Sequence, residues 1–156
     1  MTRRMLTALV ALVGLFIALY LTLYKVGVIG ALACGAGTCE TVQLSRWATF
    51  LGAPVAAWGA AFYGLVFALA FAGIQDRWAT SRRISSATLL VTGWGVLFSA
   101  WLTYLELFVI DAICRWCVFS AVLALVLFGL SLWDWQSLRD ADQPTSRPAD
   151  KPIMRA

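Results

Sequence analysis

Histidine is absent from the 156-residue chain, which removes imidazole as a metal ligand, haem ligand or general base. Charge is nearly as scarce: 13% of residues are charged, against about 25% in an ordinary soluble domain, while 62% are hydrophobic. Too few polar side chains remain to cover a soluble globule of this size. Lysine occurs only twice, beside ten arginines. The net charge of +4 is not gathered on one face, as a nucleic-acid surface requires; the cations sit between apolar runs. These scarcities exclude a nucleic-acid-binding domain and a soluble histidine enzyme. They leave one compact unit embedded in a lipid bilayer.

Uninterrupted apolar sequence is what the chain has in quantity. Residues 5–24, 47–75, 84–105 and 116–133 carry no charge. About 20 apolar residues, rising about 1.5 Å each, cross a hydrocarbon core about 30 Å thick. Lipid offers no partner to an unpaired backbone group, so the spans must be helical. The spacing predicts an all-α, four-transmembrane-helix bundle with helices near 5–28, 54–74, 86–109 and 115–133. The second uncharged stretch exceeds one span, and Gly52 and Pro54 divide it. Pro54 suits a first helical turn, where its missing N–H costs nothing. Ala56, Ala60 and Gly64, spaced by four, and the pair Gly95/Ser99 are small residues that either let helices approach or simply face lipid. The first span exceeds the apolar core of a cleaved leader, about 7–15 residues. Ala31-Leu32-Ala33-Cys34 is a poor lipoprotein cleavage site, so the span is expected to stay. Residues 1–135 form the membrane domain. Residues 136–156, with Pro144, Pro148 and Pro152, read as a disordered cytoplasmic tail.

Orientation follows from the basic residues. With the N-terminus in the cytoplasm, the inner segments hold Arg3, Arg4, Arg77, Arg82, Arg83, Arg139, Arg147, Lys151 and Arg155. The outer segments hold Lys25, Arg46 and Arg115, so the count is nine against three. Trp78, Trp133 and Trp135 then mark the inner interface, and Trp47 and Trp116 the outer one.

All four cysteines fall on the outer side: Cys34 and Cys39 in the first loop, Cys114 and Cys117 where the fourth helix begins. Paired thiols facing an oxidising compartment are normally disulfides. Cys34-Gly-Ala-Gly-Thr-Cys39 is short and glycine-rich enough to bend until its sulfurs meet. Cys114-Arg115-Trp116-Cys117 is a C-x-x-C at a helix N-terminus, where unpaired N–H groups and the helix dipole favour a thiolate. Thiol exchange is one reading. Disulfides that merely staple the loops are another, although a staple gains most from closing a long loop. A Cys₄ zinc site is a third.

Together these residues resemble the vitamin K epoxide reductase family, specifically its bacterial members. The resemblance rests on Cys34 and Cys39, Ser45-Arg46-Trp47, Gly52, Pro54, Gly59, Phe62-Tyr63 and the Cys114–Cys117 motif. It covers roughly residues 5–133. The other membrane thiol oxidase family, the DsbB type, carries its C-x-x-C in the first loop; here it lies in the second. The resemblance implies a quinone-dependent thiol oxidoreductase of the bacterial inner membrane, with both termini cytoplasmic and Cys34, Cys39, Cys114 and Cys117 catalytic. It implies a membrane quinone, menaquinone or ubiquinone, as acceptor, with no metal. The partner would be a periplasmic or extracytoplasmic thioredoxin-fold (DsbA-like) protein. Some relatives carry a fused thioredoxin-like domain after a fifth helix, which this sequence does not show, so that partner is expected to be separate.

The resemblance also implies a short amphipathic helix over the quinone. Residues 40–50 would supply it, with Val42, Trp47 and Phe50 on one side and Glu40, Gln43 and Arg46 on the other. Ser45, Tyr63, Val55, Ala121 and Cys117 would surround the quinone. Val55 and Ala121 stand where the vertebrate enzyme has a quinone-binding Asn and Tyr, so those two carbonyl partners are missing. In the implied relay, the partner attacks the Cys34–Cys39 disulfide at Cys34. Cys39 then attacks Cys114, and Cys117 is released one turn deeper, nearer the quinone.

Three other features stand apart. Glu106 lies about one turn below the outer surface and either supplies protons or simply reaches the interface. Asp111 reads as a solvated loop residue. Trp94 and Trp101 share a helix face that either lines the quinone pocket or packs against lipid. The alternative functions are a non-catalytic membrane subunit with stapled loops and a small transporter, for which Glu106 is the only charge well inside a span.

Overall fold

In a computed structural model, residues 2–30, 32, 38–75, 77–78 and 81–142 are described. The chain runs through α1 (Thr2–Lys25), a short helix α2 (Thr38–Leu44), a 3-10 turn (Arg46–Ala48) and two strands, β1 (Thr49–Phe50) and β2 (Ala53–Pro54). It continues through α3 (Val55–Ile74), α4 (Arg82–Leu105), a π-helical turn (Glu106–Ile110) and α5 (Arg115–Asp142). The four long helices are each long and apolar enough to cross a membrane. They pack as a closed ring, α1 on α3, α3 on α4, α4 on α5 and α5 back on α1.

Phe62 and Tyr63, adjacent on α3, hold this ring from both sides. The Tyr63 ring occupies the place where a Cβ on Gly14 of α1 would stand, and the Phe62 ring does the same at Gly95 of α4. Tyr63 is buried with Ala11, Ala18, Val66 and Leu127. Its hydroxyl donates to the Ser120 carbonyl on α5 at 2.7 Å, so its one polar atom is satisfied. Gly95 is therefore a close-approach residue, as its sequence context suggested. Gly64 is not: no atom lies within 4 Å of its missing Cβ.

The end of the bundle where α1 begins is tied by Arg4. This guanidinium is buried, pairs with Asp134 of α5 (Nη2 to Oδ2, 3.2 Å) and donates to the Gly73 carbonyl at the end of α3 (2.6 Å). Ser85 of α4 donates to the same Asp134 at 2.9 Å. All four long helices meet there. A charge buried this far is tolerable only when paired. Around this end, Arg3 lies over Trp133 (4.4 Å), Arg77 over Trp78 (5.7 Å) and Arg139 over Trp135 (5.6 Å). Stacked cations keep these rings at the level where apolar and aqueous surroundings meet.

Several boundaries differ from the sequence reading. Helix α5 does not stop near 133 but continues to Asp142, so residues 136–142 are helical and the tail boundary at 135 falls too early. A helix leaving lipid has no reason to end at the interface when its next residues favour helix. Residues 143–156 lie outside the described residues. Pro54 stands just before α3, with extended backbone (φ −55°, ψ 135°), rather than inside its first turn. The expected single helix over 40–50 is broken. Its second half is the 3-10 turn and then β1, the first strand of a hairpin with Phe50 opposite Ala53, turned through Leu51 (φ 52°) and Gly52 (φ 80°). Two successive positive φ angles make the type I′ turn that suits a tight hairpin. Glycine adopts this freely, whereas Leu51 is held there at a cost of about 1–2 kcal/mol. Phe50 is consequently exposed at the hairpin rather than buried on a helix face.

The two glycine environments separate cleanly by substitution. Gly14→Ala drives a methyl group into the Tyr63 ring and should destabilise the protein by about 1–3 kcal/mol. Gly64→Ala should be neutral or slightly stabilising. Thermal unfolding of both variants in detergent checks this, and equal midpoints would refute the packing role of Tyr63.

Candidate active site

The site is built where α4 gives way to α5. The π-helical turn ends at Asp111, whose left-handed backbone (φ 54°) turns the chain. Ala112 N–H donates back to the Glu106 carbonyl at 3.1 Å. This brings the strand of chain ahead of α5 over the Glu106 side chain, whose Oε2 accepts the Cys114 N–H at 3.2 Å. Glu106 is only 5% exposed. It is buried within the protein, and its carboxylate faces the Cys117 thiol as well. Asp111 is exposed, as a solvated loop residue should be.

Cys114 precedes α5 and acts as its cap. Its carbonyl accepts the Val118 N–H at 3.0 Å, and its sulfur accepts the Cys117 N–H at 3.4 Å. That sulfur takes over one of the unpaired donors of the helix start. The Cys117 thiol hydrogen-bonds to it too, and this bond holds Cys114 below the ordinary thiol range, outweighing burial, which acts in the opposite direction. Cys114 is fully buried, packed with Cys39 and Val42 in one small cluster that Trp116 and Cys117 border. Cys39 is disulfide-bonded, whereas Cys114 and Cys117 are free. A Cys₄ zinc site needs four thiolates, and the disulfide removes Cys39 from that set. Cys34 lies outside the described residues.

Cys117 faces the other way, into a cavity of about 970 Å³ between α3, α4 and the segment 42–51. All five residues expected around a quinone line it: Ser45, Val55, Tyr63, Cys117 and Ala121 on its walls, without exception. Their roles differ, however. Val55 and Ala121 contribute hydrocarbon only. The Ser45 hydroxyl is committed to the Val42 carbonyl at 2.7 Å, and that of Tyr63 to Ser120. Trp94 and Trp101 line the cavity from α4 while remaining largely exposed, so they serve both cavity and lipid. Across the site, Cys39 and Cys114 sit together and Cys117 opens onto the cavity.

One residue was misplaced by the sequence reading. Gln43 stood on the polar side of the expected amphipathic helix, yet it is buried, and its Nε2 lies 3.8 Å from Cys117 Sγ. Its spacing of four from Cys39 puts both on one face of α2, which is the signal that would have found it. Glu40 and Arg46 remain at the surface side, as expected.

A family description reading "Vitamin K epoxide reductase family" matches residues 5–132, from the first span into the fourth and through all four cysteines. The chain belongs to that family. It is a multi-pass membrane protein of thiol–disulfide and quinone oxidoreductase chemistry. The cavity fits the quinone on which this family relies. It is apolar and aromatic along its length, of a size that holds a ring and part of an isoprenoid tail, and polar chiefly where Cys117 opens into it.

The hydrogen bond from the Cys117 thiol to Cys114 has a measurable consequence. The dithiol should begin to form thiolate below the ordinary thiol pKa of about 8.5, read as thiolate ultraviolet absorbance against pH. Removing the donor in Cys117→Ala should move the first titration step upward, because Cys114 then keeps its burial and loses the bond. An unchanged or lower midpoint would contradict the hydrogen bond from the Cys117 thiol.

Proposed function

We propose that this protein is a quinone-dependent thiol oxidase that reoxidises an extracytoplasmic thioredoxin-fold protein. One observation carries the reading: Cys39 and Cys114 share a single buried cluster, while Cys117, one turn further on, lines the apolar cavity. The arrangement suits a relay from an aqueous reductant to a lipid-soluble acceptor. Nine basic residues against three support a cytoplasmic N-terminus, with the cysteines on the outer face of a bacterial inner membrane. The Cys39 disulfide is in keeping with an oxidising compartment.

In this reading the cycle starts with both cysteine pairs oxidised. A thiolate of the partner attacks Cys34 of the Cys34–Cys39 disulfide, and Cys39 leaves as a thiolate. Cys39 attacks Cys114 in the Cys114–Cys117 disulfide and releases Cys117 as a thiolate. The partner's second thiol resolves its bond to Cys34, and the partner departs oxidised. Cys34 then attacks Cys39, restoring the outer disulfide and releasing Cys114. Two electrons now reside on Cys114 and Cys117, the redox state described above, with Cys39 in a disulfide and the inner pair free. When bound, the quinone supplies the two-electron, two-proton acceptor that returns the inner pair to a disulfide. Glu106, buried and facing Cys117 Sγ, takes the thiol proton and holds it at the mouth of the cavity. Cys114, with its depressed thiol pKa, would supply the second thiolate, and the two electrons lost as the Cys114–Cys117 bond forms would pass to the quinone.

The test is turnover of purified protein in detergent with a reduced thioredoxin-fold protein and a water-soluble quinone. Quinone loss matched by partner oxidation, abolished in Cys34→Ala and in Cys117→Ala, is the expected result. Normal turnover in either variant would sink the relay. No turnover by folded wild type with several quinones and partners would point instead to disulfides that only staple the loops. Glu106→Gln keeps the shape and the acceptor for Cys114 N–H but cannot carry a proton. It should slow quinone reduction about 10²-fold or more while leaving thiol exchange between partner and outer pair intact, as seen by trapping the mixed disulfide.

A further inference from the structure

The cysteine end of the cavity holds few groups able to donate a hydrogen bond to a carbonyl. Val55 and Ala121 have no polar side-chain atom, the Ser45 and Tyr63 hydroxyls are committed elsewhere, and Glu106 is engaged with Cys114 and Cys117. Gln43 differs from all of these. Its side chain is buried, lines the same cavity, and directs Nε2 at Cys117 Sγ from 3.8 Å. An amide nitrogen carries two hydrogens, and a thiol sulfur is a weak acceptor. A carbonyl oxygen drawn up beside Cys117 Sγ comes within reach of the same amide.

The geometry points to Gln43 as the residue that recognises the quinone carbonyl, replacing the donors missing at Val55 and Ala121. This rests on the quinone-dependent reading above. It also has a structural corollary. Gln43 is carried by α2, four residues after Cys39 and on the same face, not by the membrane bundle. Its main-chain carbonyl is gripped by Lys25 Nζ at 2.5 Å, which ties α2 to the outer end of α1. The acceptor is therefore bound firmly only when the helix bearing Cys39 is seated over Cys114 and Cys117. Recognition and electron delivery share one moving part. A donor aimed where negative charge develops also favours the reduced oxygen over the carbonyl.

Binding can be measured without turnover. Full-length protein in detergent is titrated with methylnaphthoquinone, read by quenching of tryptophan fluorescence, since Trp58, Trp94 and Trp101 line the cavity. Methylnaphthalene, the same ring without carbonyls, serves as competitor. Gln43→Met, equal in length but without a donor, should bind the quinone roughly tenfold more weakly while methylnaphthalene competes as in wild type. Lys25→Met should also weaken quinone binding, and the double variant should be no weaker than Gln43→Met alone, because Lys25 acts through Gln43. If Gln43→Met also loses methylnaphthalene, the cavity is damaged and Gln43→Leu carries the same comparison. Undiminished quinone affinity in a Gln43 variant that retains methylnaphthalene would overturn the assignment alone. Failure of wild type to bind any quinone would overturn both it and the quinone-dependent reading.

Discussion

The bond from the Cys114 N–H to the buried Glu106 carboxylate fixes the geometry on which the rest of the site depends. A carboxylate out of water costs several kcal/mol unless hydrogen bonds replace its hydration, so Glu106 holds its partners tightly. The π-helical turn and the left-handed Asp111 exist in the service of that contact: they bend the chain so that the start of α5 lies over the end of α4. With Cys114 pinned there, helical periodicity alone places Cys117 one turn deeper, facing the cavity rather than the loop. The two thiols thus differ in surroundings by a single turn.

In the proposed relay, that division accounts for a second cysteine pair on a separate segment, between an aqueous partner and an acceptor in the bilayer. The segment 38–54 bridges the two, carrying Cys39 inward against Cys114 and closing one side of the cavity with Ser45 and Gln43. Its construction is compatible with motion. α2 has under two turns, the hairpin rests on two residue pairs, and bonds made by Lys25, Trp58 and Gln43 are among those linking the segment to the bundle. The bundle beneath is the opposite. Phe62 and Tyr63 fill two glycine sites, and Arg4 joins all four helices at the far end, so the cavity walls are held from both directions. The rigid and adaptable parts are separated along the membrane normal.

The four spans and their order are legible in the sequence, as is the placement of the cysteines between spans, and its motifs carry the resemblance to the family. Each follows from one-dimensional quantities: the length of charge-free runs, the placement of arginines, and the spacing of C-x-x-C, none of which needs knowledge of neighbours in space. It also identified Ser45, Tyr63, Val55, Ala121 and Cys117 as a group, through resemblance, and the cavity gathers them. Tertiary structure alone decided which way Glu106 and Gln43 face. Glu106 was equally consistent with the interface, and Gln43 belonged by polarity to a solvated face. Their burial depends on a π-helical turn and a broken helix, features set by contacts between segments far apart in the chain. Periodicity reports which residues share a face, but only packing reports what that face meets. The polar groups of a membrane-embedded site are decided by that meeting, because a buried amide or carboxylate is tolerable only where a partner already stands.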